Sequence, residues 1–138
     1  MGNLFSLDAW MMVWHYKDTF ILGFLTTVQV SLISLLISLT LGLIFGLMAT
    51  SNKLSLQAIA RVYVEFIQNT PLLLQICFLY YALSFSGNGI GILASGIISI
   101  GLYHGAYMAE VIRAGIQSIH KGQFEAAQSQ GFDYFGTM

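Results

Sequence analysis

Glu65, His104, Glu110 and Arg113 each stand inside or at the edge of a long apolar run. Ionisable groups in that setting are expensive, so they face a cavity, a partner helix or one another, and they mark either a solute path or a structural pair. Arg61 precedes Glu65 by four residues, and Glu110 precedes Arg113 by three. Both spacings put the couple on one helical face and allow an ion pair. An interfacial pair is the plainer reading for each, and a place on a translocation path is the alternative for Glu110. His104 lies deeper, inside Leu102-Tyr103-His104-Gly105-Ala106. It reads as a structural histidine held by a partner, with a pathway role as the alternative. Nothing here is arranged for catalysis. His15, His104 and His120 are scattered without a His-Glu-x-x-His spacing, so no metal site is expected. There is no serine elbow, and no Walker glycine loop to cradle a phosphate, so ATP is not expected to bind this chain. The single cysteine, Cys77, can form neither an internal disulfide nor a metal site, and reads as a small hydrophobe.

The elements that must carry these groups follow from the solvent the chain demands. Of 138 residues, 57% are hydrophobic and 8% charged, against about 25% charged in soluble domains. Too little charge is available to cover a water-facing surface, so the natural surroundings are lipid. A net charge of −1 leaves no footprint for nucleic acid. No charge occurs from Thr19 to Asn52, a stretch longer than the roughly 20 apolar residues a spanning helix needs. A first span is predicted over residues 20–48. A second apolar run, 62–85, contains Glu65 and Pro71, and Ser86-Gly87-Asn88-Gly89 closes it as a turn. A third run covers 90–109, and residues 117–138 are polar. Residues 1–19 lack a basic start, so they do not read as a signal peptide. Trp10, Met11, Met12, Trp14 and Tyr16 suit the membrane interface instead. The expectation is one all-α membrane domain over 1–138: an interfacial segment (1–19), three transmembrane helices (20–116) and a cytoplasmic segment (117–138). Lys53 and Arg61 lie between spans one and two, and Arg113 and Lys121 follow span three. Only Lys17 precedes span one, so the positive-inside rule puts the N-terminus outside.

Thr27, Ser31, Ser34, Ser38, Gly42, Gly46 and Ala49 recur at steps of three or four. They form a small-residue face, on which helix backbones approach closely in lipid. Gly101-x-x-x-Gly105 repeats the pattern in the third span. The polar tail has helix grammar. Alanines favour the helix, Glu125 is expected in the first turn to meet the positive helix end, and Gly131 can close it left-handed with Phe132 folding back. The product is a short cytoplasmic helix with a small, smooth face, suited to a groove in a soluble partner.

Three blocks, in order, carry a resemblance. Gly122-Gln123-Phe124-Glu125-Ala126-Ala127, followed by Gly131, resembles the EAA signature of permease subunits of bacterial ATP-binding-cassette importers. Gly105-Ala106-Tyr107-Met108-Ala109-Glu110-Val111-Ile112-Arg113-Ala114-Gly115-Ile116 is similar to the segment preceding that signature in the polar amino-acid (histidine, glutamine, arginine) branch. Tyr63-Val64-Glu65-Phe66-Ile67-Gln68-Asn69-Thr70-Pro71-Leu72-Leu73-Leu74-Gln75 is similar to a third block of the same branch. The resemblance implies the N-terminal part of a five-span permease fold in the bacterial cytoplasmic membrane. Gly122, Glu125, Ala126, Ala127 and Gly131 would contact a cytoplasmic ATPase, which binds the ATP, and the chain itself would need no cofactor. Further partners implied are a second permease, identical or homologous, and an extracellular or periplasmic amino-acid-binding protein. Thr70 and Pro71 would shape a helix break; with His104 and Glu110 they are the candidates for the break or the translocation path. Gln68 stands where many members carry arginine, so no charge-based role carries over there.

The family signature runs on past the glycine to an isoleucine and a Leu-Pro pair, and two more spans follow. The chain is therefore expected to be a permease truncated within its coupling segment and unable to transport alone. Other readings are a small membrane anchor or adaptor docking a soluble partner, an inactive permease remnant, or a small channel with the serine and threonine face of span one along its pore.

Overall fold

A computed structural model describes residues 7–85, 90–133 and 136. The turn expected at 86–89 lies outside the described residues, as does the start of the interfacial segment. The described part is helical: α1 (Leu7–His15), α2 (Lys17–Thr50), α3 (Leu54–Gln68), α4 (Leu72–Phe85), α5 (Ile92–Gln117) and α6 (Lys121–Ser129).

α2 has 34 residues, about 51 Å at ~1.5 Å per residue, which exceeds a hydrocarbon core of roughly 30 Å. It outruns the expected 20–48 at both ends, because no residue from Thr19 to Thr50 breaks a helix. Its buried positions are Ser34, Ser38, Gly42 and Gly46, the middle of the small-residue face. Thr27 and Ser31, at the outer end of that face, are exposed among the described residues.

The partner of the face is α5. A Cβ on Gly42 would sit 2.5 Å from the Met108 side chain, and one on Gly46 2.8 Å from Ile112. In return, a Cβ on Gly101 would meet Ile37 at 2.6 Å, and one on Gly105 would meet Leu41 at 3.0 Å and the Tyr63 hydroxyl of α3 at 2.9 Å. Each helix thus offers two glycines four apart to two branched or long side chains four apart on the other. Ser34 Oγ donates to the Ile97 carbonyl across the same seam at 3.1 Å. The paired numbers rise together, so α2 and α5 run parallel, and the chain between them must return to the end where it began.

α3 and α4 make that return, and they are not one straight helix over 62–85. The helix starts earlier, at Leu54, and the two halves bend by 98° at a break of residues 69–71. α2 and α5 are long and apolar enough to cross a membrane, and the bent pair counts as a third crossing if it is one span. α3 buries Ala60, Val64 and Ile67, spaced four and three apart on one face. Val64 and Ile67 pack with Ala106 and Ala109 of α5 and are bordered by Phe45, Tyr63, Leu102 and Tyr103. Phe45 of α2 stacks on Tyr63 with centroids 4.0 Å apart, and Tyr63 Oη donates to the Leu102 carbonyl at 2.8 Å. α5 also runs on past Ala109 to Gln117, so Glu110 and Arg113 lie within a helix. Among the described residues α6 packs against no other helix.

Candidate functional site

Three places hold the residues singled out above other than His104, and they do not merge into one site. The first is the break. Pro71 has no N–H, so it withholds the donor that the Ile67 carbonyl would receive in an unbroken helix. The neighbouring carbonyls are served from close by. Asn69 donates to the Glu65 carbonyl from its backbone N at 3.1 Å and from Nδ2 at 2.7 Å. Thr70 Oγ1 donates to the Phe66 carbonyl at 2.8 Å. Gln75, one turn into α4, donates from Nε2 to Ile67 and Thr70. Gln75 carried no assigned role in the sequence; the signal was a lone amide four residues after proline inside an apolar run. The bend opens an apolar hollow of about 870 Å³ lined by Ile67, Thr70, Leu74, Gln75, Phe78 and Leu102 among others, with Cys77 exposed at its edge.

The second place is a charged cleft of about 280 Å³ between the end of α2, the start of α3 and the end of α5. Gln57, Arg61, Glu65, Glu110, Arg113 and Gln117 line it. Arg113 donates from Nε and Nη2 to Glu110 Oε2 at 2.9 and 2.7 Å, and from Nη1 to Gln117 Oε1 at 2.7 Å. This pair forms as its spacing allowed. Arg61 and Glu65 do not pair, which corrects the expectation; both are exposed. An exposed i,i+4 pair is worth only about 0.2–0.5 kcal/mol, too little to hold two solvated side chains together. The cleft therefore combines one neutralised arginine with a separate cation and a separate anion.

His104 belongs to neither place. It lies exposed on α5, in a groove of about 400 Å³ with Ser31, Ser34, Ser38 and Tyr107. Its ring meets Tyr103 edge-on at 5.6 Å, and it has no hydrogen-bond partner among the described residues. His104 and Glu110 occupy different faces of α5.

The third place is α6. His120 takes extended backbone (φ −64°, ψ 138°), so the helix begins at Lys121. Glu125 is therefore the fifth helical residue, in the second turn rather than the first as expected, and no acidic residue stands in the first turn. The C-terminal end matches the sequence reading. Gly131 has φ +86°, its N–H donates to the Gln128 carbonyl at 3.0 Å, and the Phe132 N–H returns to Ala127 at 3.2 Å. These two bonds close a Schellman cap. Glu125 and Ala126 are exposed and Ala127 half-buried. A Cβ on Gly122 would meet nothing within 4 Å, so the chain's own packing does not require a glycine there.

The geometry has counterparts in known proteins. The sequence profile described as "Binding-protein-dependent transport system inner membrane component" matches residues 38–138. The chain is 40% identical over 116 residues to the probable glutamine ABC transporter permease protein of Bacillus subtilis, covering 84% of this chain and 53% of that protein. It is 34% identical over 131 residues to the putative glutamine transport system permease protein of Rickettsia prowazekii, covering 94% and 60%. The crystal structure of an amino acid ABC transporter with histidines superposes with a TM-score of 0.83 at 34% identity, covering 96% of this chain and 62% of that one. The chain thus spans about half the length of the curated relatives it matches.

Proposed function

The chain belongs to the family of binding-protein-dependent transport system inner membrane components, and from that premise we propose that it is part of the permease of an ATP-driven importer for polar amino acids. The observation that carries the coupling role is α6: a capped helix, free of the bundle, whose exposed Glu125 and Ala126 are offered to something outside the chain. In this reading Gly122, Glu125, Ala126, Ala127 and Gly131 seat in a groove of a separate cytoplasmic ATPase, which binds and hydrolyses the ATP. Alanine and glycine leave no bulk between the helix backbone and the groove wall, so a rigid push is transmitted with little slack. The N-terminus lies outside, by the distribution of lysine and arginine. Identical or homologous permeases pair, an extracellular binding protein delivers the solute, and the whole protein carries out alternating access. The names of the relatives make glutamine the first solute to try.

The parallel α2–α5 pair gives this mechanism a stiff core, because the mutual insertion of side chains opposite glycines resists sliding. α6 follows α5 after three residues, so motion of α6 is delivered to α5 and through the seam to α2. The full-length permease, reconstituted with its ATPase and binding protein, is expected to accumulate radiolabelled glutamine or another polar amino acid only with ATP. Accumulation without ATP, or none for any polar amino acid from an assembled complex, contradicts the proposal.

A further inference from the structure

We propose that Gln75 is a positioning residue of the broken span: its carboxamide supplies the donor that Pro71 withholds, and thereby sets the direction in which α4 leaves α3. An unbroken helix would satisfy the Ile67 carbonyl from the N–H of residue 71, which proline lacks. The Thr70 N–H reaches that carbonyl only at 3.3 Å. Gln75 Nε2 reaches it at 3.0 Å and the Thr70 carbonyl at 2.9 Å. Gln75 is also fixed to α4, since its backbone N–H donates to the Pro71 carbonyl at 3.2 Å. One residue thus holds the first turn of α4 with its backbone and the last turn of α3 with its side chain.

The orientation of the amide is not a matter of choice. Both contacts are carbonyl oxygens, so a flipped amide would set Oε1 against two acceptors. Oε1 must then point away, and it is buried with no donor among the described residues, in a side chain only 9% exposed. A buried acceptor without a partner is a standing cost. An apolar residue would avoid it, so a mere space-filler is the wrong account of this glutamine. The compensation is two carbonyls at the break that receive a donor from within the chain. The direction of α4 in turn shapes the hollow lined by Thr70, Leu74 and Phe78. Only the transport arm of the test rests on the importer reading.

The test uses the full-length permease with its ATPase in lipid nanodiscs, with native cysteines replaced. Spin labels at the exposed Val62 and Tyr81 report the distance across the break by pulsed electron resonance. Gln75→Met keeps length and apolar bulk but has no donor, and it is expected to shift or broaden the distance distribution. Pro71→Ala restores the N–H at residue 71. Against that background Gln75→Met is expected to change nothing further and to recover folding if the single variant is lost. Uptake by Gln75→Met is expected to show a lower maximal rate at unchanged KM. An unchanged distance in Gln75→Met overturns the proposal, as does an equal effect in both backgrounds or loss of the protein in both. A raised KM with an unchanged distance overturns it too, by making Gln75 a solute contact. Absence of uptake in the unsubstituted protein would count against the importer reading alone, because the distance arm decides on Gln75 without it.

Discussion

The α2–α5 seam and α6 are both built around small residues, and they use them in opposite directions. At the seam the missing side chains are filled from within: Met108 and Ile112 occupy the space over Gly42 and Gly46, Ile37 the space over Gly101, and Leu41 with the Tyr63 hydroxyl the space over Gly105. At α6 and its cap, no described residue lies within 4 Å of where a Cβ on Gly122 or Gly131 would sit. One region has its partner in the same chain; the other presents the same kind of surface outward. Lipid gives no hydrophobic drive for helices to associate, so close backbone approach and dispersion must do it. On the proposed reading α6 lies in water beyond the membrane, where a small smooth helix gains little by covering its own bundle and stays available to a partner.

This contrast can be broken at either region. The largest effect on stability is expected at the seam. Gly42→Ala places a Cβ 2.5 Å from Met108, and such overpacking costs about 1–3 kcal/mol, more for Gly42→Leu. Thermal unfolding of the full-length permease in detergent measures it, and an unchanged midpoint would show that the seam is looser than described. Next comes Gly131→Ala. At φ +86° an L-residue costs about 1–2 kcal/mol, and the loss should stay local. Hydrogen exchange is expected to quicken at the end of α6 while the bundle midpoint holds; a falling midpoint would mean that α6 is packed on the bundle after all. Smaller still, and opposite in sign, is Gly115→Ala in α5. Its Cβ meets nothing within 4 Å, so the helix should gain about 0.5–1 kcal/mol. A loss in the assembled transporter would reveal a partner covering that face. The smallest effect is Ala127→Leu, expected to leave bundle stability within about 0.5 kcal/mol while lowering ATPase affinity in a pull-down from membranes.

Much of this was legible in the residues, and the failures have physical causes. The spacing of Ser34, Ser38, Gly42 and Gly46 identified the packed face, because small residues at helical period have few other uses in lipid. Which helix fills that face was not legible, since side chains opposite a glycine leave no mark in their own sequence. Pro71 announced a break, but not its 98° angle, which depends on carbonyls three to eight residues away from their donors. Arg61 and Glu65 had the right spacing and do not pair, because spacing permits a contact that solvation then outweighs. Glu125 was placed one turn too early, since the start of α6 depends on the backbone of His120 rather than on a capping side chain. Gly131 was read correctly, because a left-handed residue after a helix leaves glycine almost no competitor.

The central claim, that α6 is the surface a soluble ATPase grips while the seam is closed, is tested most directly by cysteine cross-linking. In the full-length permease with native cysteines, including Cys77, removed, Ala127→Cys is compared with Ala109→Cys, which is 1% exposed between α5 and α3. A cross-linker of short reach applied to native membranes should join Ala127→Cys to the ATPase, more weakly when ATP is depleted, and leave Ala109→Cys unjoined. Equal capture of the ATPase at both positions, or capture of unrelated soluble proteins at Ala127→Cys with no ATPase among them, would contradict the account.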